Sequence, residues 1–371
     1  MKLKIAVLSG DGIGPEVTRQ AIKALKAIAE YFKHEFEFNT ALVGAIAIEK
    51  TGIPLPAETL KVCKESDTVL FGAIGSDTFD KNPYQDVFPE QGLLQLRHDL
   101  GLYANIRPVI VYNYLLDNSP LKKERVRGTN ILIYREISAG VFYGKKGSSK
   151  DGTASFDTFN YTQSQISRIS RAAFTASLSR RKKVTLIDKS NVLETSRLWR
   201  KTVLEVSKEF PEVELDLMYV DKAAEKIITT PKDFDVIVTS NLIGDFISEQ
   251  ASALVGSKGI MASASIGEKY SLFEPIHGTY PSAIQKGIAN PTGAILSAVL
   301  LLKHFGLAKE ATAIKKAVIK AMQLQLTTPD LNAVNPITTE KVGDFIADYI
   351  LNPDLTDMNI ENIYLGQSTI I

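Results

Sequence analysis

Cysteine is almost missing from this chain. A single thiol, Cys63, in 371 residues excludes an intramolecular disulfide and fits a reducing compartment. Histidine is scarce as well: four, scattered along the chain, do not make a zinc site with one cysteine. Any metal is therefore expected to be a hard cation held by carboxylates. Excess charge of either sign is absent. Forty-three basic against 42 acidic residues leave a formal +1, which gives no footprint for nucleic acid or an anionic membrane. Long apolar runs are also lacking. The longest, AILSAVLLL (294–302), stops at Lys303, well short of the ~20 residues that span a bilayer. The N-terminal KLKIAVLSGDG is too short for a signal h-region, and an aspartate ends it. A cytoplasmic protein is expected. No internal repeat or low-complexity segment occurs.

What is present is an ordinary globular composition, 44% hydrophobic and 23% charged. The length suits about two domains of roughly 150 residues each. KIAVLSG (4–10) reads as a buried strand closed by glycine, followed by GDGIGPE and a helix. Pro15 suits a first helical turn, and Val17, Ala21, Ala24, Leu25, Ile28, Ala29 and Phe32 recur at helical spacing. TVLFGAIG (68–75), ILIYRE (131–136), KVTLIDK (183–189) and FDVIVTS (234–240) are near-continuous apolar strands. Helical patterns separate several of them, so the class is α/β with a largely parallel or mixed sheet covered on both faces. ANPTGAILSAVLLLKHFG (289–306) is a second marked helix, with Asn290 as expected N-cap, Pro291 at the first position and Gly306 at the end. KKGSSKDGTASF (145–156) reads as a loop or extended arm.

The glycine turn invites a Rossmann assignment, but GDGIG is G-x-G-x-G and not G-x-G-x-x-G. No acidic residue is clearly placed ~20 positions on to hold a ribose. A tight turn that needs glycine backbone angles accounts for the spacing at least as well.

Three arginines stand where apolar sequence meets a turn: Arg97 in GLLQLR, Arg107 in LYANIRP and Arg135 in ILIYR. Each is costly there unless paired. Any one alone is more simply a structural ion pair, whereas three within one short window suit a polyanion, because guanidinium forks grip carboxylates bidentately. In NLIGDFISEQ, Asp245 and Glu249 are four apart and share a helix face. Asp221 follows the apolar MYV. Three such oxygen donors would suit Mg²⁺ or Mn²⁺; a solvated helix face is the simpler reading of the spacing. Lys189 closes a buried strand, where a lysine is either a positioned base or an ordinary surface residue.

Taken together, GDGIGPEV, PEQGLLQLR, LYANIRPV, the RE-SAG segment, IDKSNVLETSRLWRKTV, YVD, NLIGDFIS, ASASIGE, FEPIHGTYP and GIANPTGAIL resemble the β-decarboxylating dehydrogenase family, in its isopropylmalate branch. They run in the family's order from about residue 3 to residue 306. The resemblance implies an isopropylmalate/isocitrate dehydrogenase-like two-domain α/β fold with a mixed central sheet, not a Rossmann fold. Residues 1–104 and 257–371 would form the first, cofactor-binding domain, and 105–256 a second with the dimer interface and arm, the active site lying in the cleft between them. It implies a homodimer and NAD-dependent oxidative decarboxylation of (2R,3S)-3-isopropylmalate to 4-methyl-2-oxopentanoate and CO₂, in leucine biosynthesis. Arg97, Arg107 and Arg135 would clamp the substrate carboxylates, and Asp221, Asp245 and Glu249 would hold Mg²⁺ or Mn²⁺. Asp221 and the general base Lys189 would reach in from the partner subunit. Ile13, Gly75, His277, Gly278, Ser282, Ala289 and Asn290 would meet the dinucleotide, and Glu274 its nicotinamide side. Glu90 and Leu93 would lie near the substrate's variable group, with PEQGLL the isopropylmalate-type version of that segment. Nothing in it would grip a third carboxylate, which argues against isocitrate-, homoisocitrate- or tartrate-type activity.

The chain departs from the family pattern at three points. The family's RE-TGG-YFG puts the acid tyrosine before phenylalanine; here Phe142 precedes Tyr143. On a strand the two would face opposite ways, with Phe142 in the acid's place, unless a bulge restored Tyr143. That reversal is the sole support for a weakly active or non-catalytic protein on this scaffold. Glu249 replaces an aspartate. Ser282 stands where many NAD-dependent members carry an aspartate; with no new basic cluster in the sequence, NAD is expected over NADP.

Overall fold

The computed structural model describes residues 1–81 and 86–365. Among them lie strands β1 (Lys2–Gly10), β2 (Glu35–Thr40), β3 (Thr68–Ala73), β4 (Leu102–Ile110), β5 (Asn130–Glu136), β6 (Lys146–Ser148), β7 (Ser155–Asp157), β8 (Lys183–Asp188), β9 (Glu214–Tyr219), β10 (Val236–Thr239), β11 (Ala262–Gly267) and β12 (Ser271–Pro275). The chain divides into two compact units. The first comprises Met1–Leu100, Ser257–Ala264 and Lys269–Ile371; the second comprises Gly101–Gly256 and Ser265–Glu268.

In the first unit β2, β1, β3 and β12 pair in that order, all parallel. β3 is buried along its whole length, as its unbroken apolar sequence requires. The Gly14–Phe32 helix buries Val17, Ala21, Ala24, Leu25 and Ile28, the stripe read from their spacing. It packs on the Thr339–Leu351 and Thr292–His304 helices. Phe71, Phe273 and Phe345 lie fully inside this unit, each worth about 1.5–3 kcal/mol in burial.

In the second unit the order is β4, β5, β10, β8, β9. The β4–β5 pair is antiparallel and the others are parallel, so the sheet is mixed. Its core gathers Tyr134, Phe174, Leu186, Trp199, Val236 and Val238. The segment read as a loop or arm is a small exposed hairpin. β6 and β7 pair antiparallel, Lys146 opposite Asp157, in a two-stranded sheet of their own.

The glycine turn serves packing. Gly10 lies at φ +66°, and a Cβ there would sit 2.0 Å from the Ala73 carbonyl oxygen. Between it and Gly12, Asp11 accepts backbone N–H bonds from Ala45 (2.9 Å), Ile46 (3.0 Å) and Gly75 (3.0 Å). These bonds join three separate stretches of chain, and no Rossmann fingerprint is needed to explain the glycines. One boundary differs from expectation. The helix after Asn290 runs Thr292–His304 with Pro291 at the cap position. Asn290 still satisfies its start, accepting the Thr292 N–H at 3.0 Å.

Candidate active site

Within the first unit a cleft of about 500 Å³ is lined by Ile13, Ser257, Lys258, Gly259, His277, Gly278, Tyr280, Ile288, Asn290, Pro329 and Asp330. It gathers four residues expected to meet a dinucleotide: Ile13, His277, Gly278 and Asn290. Ala289, buried, adjoins them in the chain, whereas Ser282 is exposed and does not line the cleft. His277 Nδ1 lies 3.0 Å from the Gly278 carbonyl, so in the neutral ring Nδ1–H donates there. Nε2 is then an acceptor, buried and without a partner. An orphaned acceptor beside a cleft of this volume fits a bound dinucleotide.

Burial, the largest cause, lowers the His277 pKa from 6.5, and the nearby Lys258 cation lowers it further. The folded ring thus stays neutral where a free imidazole would charge. This contribution to stability is complete above about 6.5 and is lost as pH falls from there toward the lowered folded value. Thermal melts should accordingly show a larger drop in Tm from pH 7 to pH 5 for the native chain than for His277→Gln. Equal drops would remove this role from His277.

Also in the first unit, the Pro89–Asp99 helix carries Glu90, Leu93 and Arg97 at spacings of three and four, on one face. Arg97 Nη2 donates to Glu274 Oε1 at 2.7 Å, both side chains being about nine-tenths buried. Arg97 Nε is buried with no partner. A guanidinium half committed to Glu274 and half open suits a carboxylate held next to Glu274. Glu90 lies against Gly75: a Cβ on that glycine, at φ +125°, would come within 2.8 Å of Glu90 Oε1.

In the second unit Arg107 and Arg135 converge on one helix. Arg135, at the end of β5, donates from Nη1 to Asp245 Oδ1 at 2.5 Å, and from Nε (3.1 Å) and Nη2 (2.9 Å) to Asn241 Oδ1. Arg107, on β4, donates from Nη1 to Ser248 Oγ (2.6 Å) and Asp245 Oδ1 (3.5 Å), and lies 3.8 Å from Glu249. Its Nε donates to Asn105 Oδ1 at 2.7 Å, and Asn105 donates on to Ser265 Oγ at 3.0 Å. Gly244 permits this approach, since a Cβ there would be 2.8 Å from the Arg135 side chain. Asp245 and Glu249 are thus carboxylates on one face of the Asn241–Ser252 helix, each more than a third exposed, backed by two buried cations. As hard oxygen donors open to solvent they fit a divalent cation. Among the described residues, however, no group of three His, Cys, Asp or Glu forms that could hold a metal. Asp221 instead pairs with Lys189, whose Nζ donates to Asp221 Oδ2. That bond holds the Asp221 carboxyl below its usual range. Within one chain, therefore, Asp221 and Lys189 are with each other.

The segment after β5 is not a strand. Gly140 lies at φ +85°, residues 141–143 form a turn, and the Tyr143 N–H donates to the Gly140 carbonyl at 3.3 Å. Glu136 fixes the entry to it, accepting from the Ser138 N–H (3.0 Å) and the Ala139 N–H (3.0 Å). Strand alternation, the basis of the sequence reading, consequently does not decide which ring faces the arginines. The Phe142 ring centroid lies 5.7 Å from the Arg135 guanidinium carbon.

The profile of the isocitrate/isopropylmalate dehydrogenase family matches residues 4–346. The chain belongs to the isocitrate/isopropylmalate dehydrogenase family. It is 45% identical over 366 residues to the 3-isopropylmalate dehydrogenase of Aquifex aeolicus, covering 98% of this chain and 97% of that one. To the 3-isopropylmalate dehydrogenase of Priestia megaterium it is 47% identical over 358 residues, covering 95% and 97%. Among solved structures it resembles the isocitrate dehydrogenase of Methylococcus capsulatus, with a TM-score of 0.85 and 32% identity over 94% of this chain and 100% of that one. It also resembles a β-decarboxylating dehydrogenase of Thermococcus kodakarensis, with a TM-score of 0.77 and 34% identity over 96% and 98%. The α/β class with a mixed sheet is that of these family members.

The other seven residues lining the cleft escaped the sequence reading, Lys258, Tyr280 and Asp330 among them. Asp330 accepts from Asn290 Nδ2 (2.9 Å), Thr328 Oγ1 (2.5 Å) and the Ser257 hydroxyl. Tyr280 holds a left-handed φ of +44°, a costly conformation for a side chain of its size. That strain, at a cleft wall, is invisible in the sequence.

Proposed function

We propose that this chain catalyses the oxidative decarboxylation of (2R,3S)-3-isopropylmalate to 4-methyl-2-oxopentanoate and CO₂, with NAD as hydride acceptor, in leucine biosynthesis. The observation that carries this reading is the 44–47% identity to enzymes named for that reaction over nearly the whole chain. Arg107 and Arg135 bind one substrate carboxylate, and Arg97, with Nε open beside Glu274, the other. Their forks fix the C2–H of the substrate toward the nicotinamide side. Lys189 removes the hydroxyl proton from C2. NAD, when bound, would supply the hydride acceptor, and Mg²⁺ or Mn²⁺ would supply a Lewis acid for the developing negative charge. Asp245 and Glu249 would hold that cation from this chain, and Asp221 of a second copy, arriving with Lys189, would complete the set. A homodimer with shared sites is thereby part of the reading. So is a cytoplasmic location, which the single buried cysteine supports; among the described residues no helix is long and apolar enough to cross a membrane.

The deciding experiment is a steady-state assay with 3-isopropylmalate, NAD and Mg²⁺ or Mn²⁺, against parallel arms with isocitrate and with NADP. Turnover is expected with 3-isopropylmalate and NAD. A higher kcat/KM for isocitrate would assign the chain to another activity of its family, and a higher kcat/KM with NADP would overturn the cofactor preference. Exhaustive EDTA treatment should cut turnover by ~100-fold or more, in keeping with the several kcal/mol a Lewis acid supplies, and either cation should restore it. Turnover indifferent to EDTA would remove the metal from the mechanism. Phe142 beside Arg135 favours a second, narrower reading, an enzyme of this specificity with slow protonation, taken up in the Discussion.

A further inference from the structure

The stretches that carry Lys189 and Asp221 leave the sheet of the second unit side by side. Lys189 follows the last residue of β8. Asp221 lies two residues beyond β9, in the first turn of the Val220–Thr229 helix. The two strands are parallel neighbours, and their final residues, Asp188 and Tyr219, stand opposite each other. Arg200, midway along the Glu194–Ser207 helix, meets both of those residues. Its Nε donates to Asp188 Oδ2 and its Nη2 to Asp188 Oδ1, each at 2.8 Å. Its guanidinium carbon lies 5.0 Å from the Tyr219 ring centroid. A planar fork with two bonds to one carboxylate and a ring against it has little freedom to turn.

The backbone on both sides of Lys189 is tied to the same parts. Asp188 Oδ1 also accepts the Ser190 N–H at 3.1 Å, and the Lys189 N–H donates to Ser196 Oγ, on the Arg200 helix, at 3.3 Å. The Lys189 side chain then reaches Asp221. Asp188 is 2% exposed. An ion pair with a buried carboxylate adds little net stability over apolar side chains of similar size, so what the pair fixes here is geometry. We propose that Arg200 is a positioning residue for the reaction: by clamping Asp188 and lying against Tyr219, it sets where Lys189 stands relative to Asp221, and so how the ammonium group meets the substrate hydroxyl. The inference rests on the reading above that Lys189 is the base. Arg200 acts through Lys189 and not on the substrate, so its loss falls on the chemical step and spares binding by the three arginines.

Steady-state kinetics with 3-isopropylmalate, NAD and Mg²⁺, read beside thermal melts, tests this on the whole protein. Arg200→Lys keeps a cation but has no fork for Asp188. It should lower kcat about 10- to 100-fold, the scale on which a small misplacement of a reacting group is felt. KM for the substrate should stay within about threefold of native, because the interactions that bind it are untouched. Tm should remain near that of the native protein. Arg200→Ala should lower kcat at least as far, and added methylguanidinium, which can refill the fork, should raise it severalfold where ammonium at the same concentration does not. An unchanged kcat in Arg200→Lys would overturn the proposal. So would a loss of kcat that comes with an equal rise in KM, or with a collapse of Tm that methylguanidinium does not reverse, since either would make Arg200 a structural residue alone; the native enzyme's turnover, and with it Lys189 as base, would then stand. A native protein with no turnover would instead defeat the reading of Lys189 as base, and this inference with it.

Discussion

Exchanging the two rings, Phe142→Tyr with Tyr143→Phe, is expected to raise kcat by ~10- to 1,000-fold while KM for the substrate stays nearly unchanged. The expectation starts from the turn at 141–143, which aims Phe142 at Arg135. A phenyl ring there has no proton to give. In the proposed mechanism substrate binding rests on Arg97, Arg107 and Arg135, and removal of the hydroxyl proton on Lys189, none of which the exchange alters. On this reading the reprotonation of carbon after CO₂ leaves is the step that lacks a donor, and water can stand in. A general acid is worth about 10² to 10⁴, or roughly 3 to 5 kcal/mol, which sets the ceiling on the gain. A rise in kcat without a change in KM is the signature of an interaction restored only in the transition state. Loss of turnover on Tyr143→Phe alone would show that Tyr143 is the donor and that the Phe142 contact with Arg135 misleads.

The second large effect falls on Asp245→Asn. Asp245 joins Arg135 and Arg107 and, in the proposed mechanism, holds the cation. Its loss should lower kcat/KM by ~10³-fold or more, of the order seen when a preorganised electrostatic group is removed. It also leaves two guanidiniums, 3% and 8% exposed, short of their shared anion. Breaking a fully buried pair costs about 3–5 kcal/mol; since Asp245 is itself 35% exposed, solvent screening reduces this to ~1–2 kcal/mol. A fall in Tm should therefore accompany the fall in activity. Glu249→Gln should cost less on both counts. Glu249 stands 3.8 Å from Arg107 and is more exposed, so water replaces it more readily. Steady-state kinetics with titrated Mn²⁺, together with melts, measures both. The reverse ranking would misplace Glu249.

Much of the fold was legible because buried parallel strands are written as unbroken apolar runs. Residues 4–10, 68–75, 131–136, 183–189 and 234–240 each contain or overlap a strand of the structure. The stripe from Val17 to Ile28 was equally plain. Less legible were features that depend on chain brought together from afar. Arg97 and Glu274 are 177 residues apart, and nothing periodic links them. Lys258 sits in a stretch with no charge cluster, and only the close approach of Gly259 to Asn290 sets it in the cleft. The turn after β5 was misjudged as a possible strand because its apolar and aromatic residues look like one. Gly140 in a left-handed conformation and the Glu136 carboxylate cap override that local preference.

The two units differ in how the ribosome delivers them. The second is almost one continuous stretch, Gly101–Gly256, whereas the first is split around it. In the first unit β3 must pair with β12, and the Thr68 hydroxyl with Ser271, 203 residues later. At about 5–20 residues per second of synthesis, the N-terminal hundred residues wait on the order of 10 s or longer for their partners. The middle of the chain is complete first. During that interval β3, apolar along its length, has one side of its ladder open, and this nascent edge is where a chaperone has most to protect.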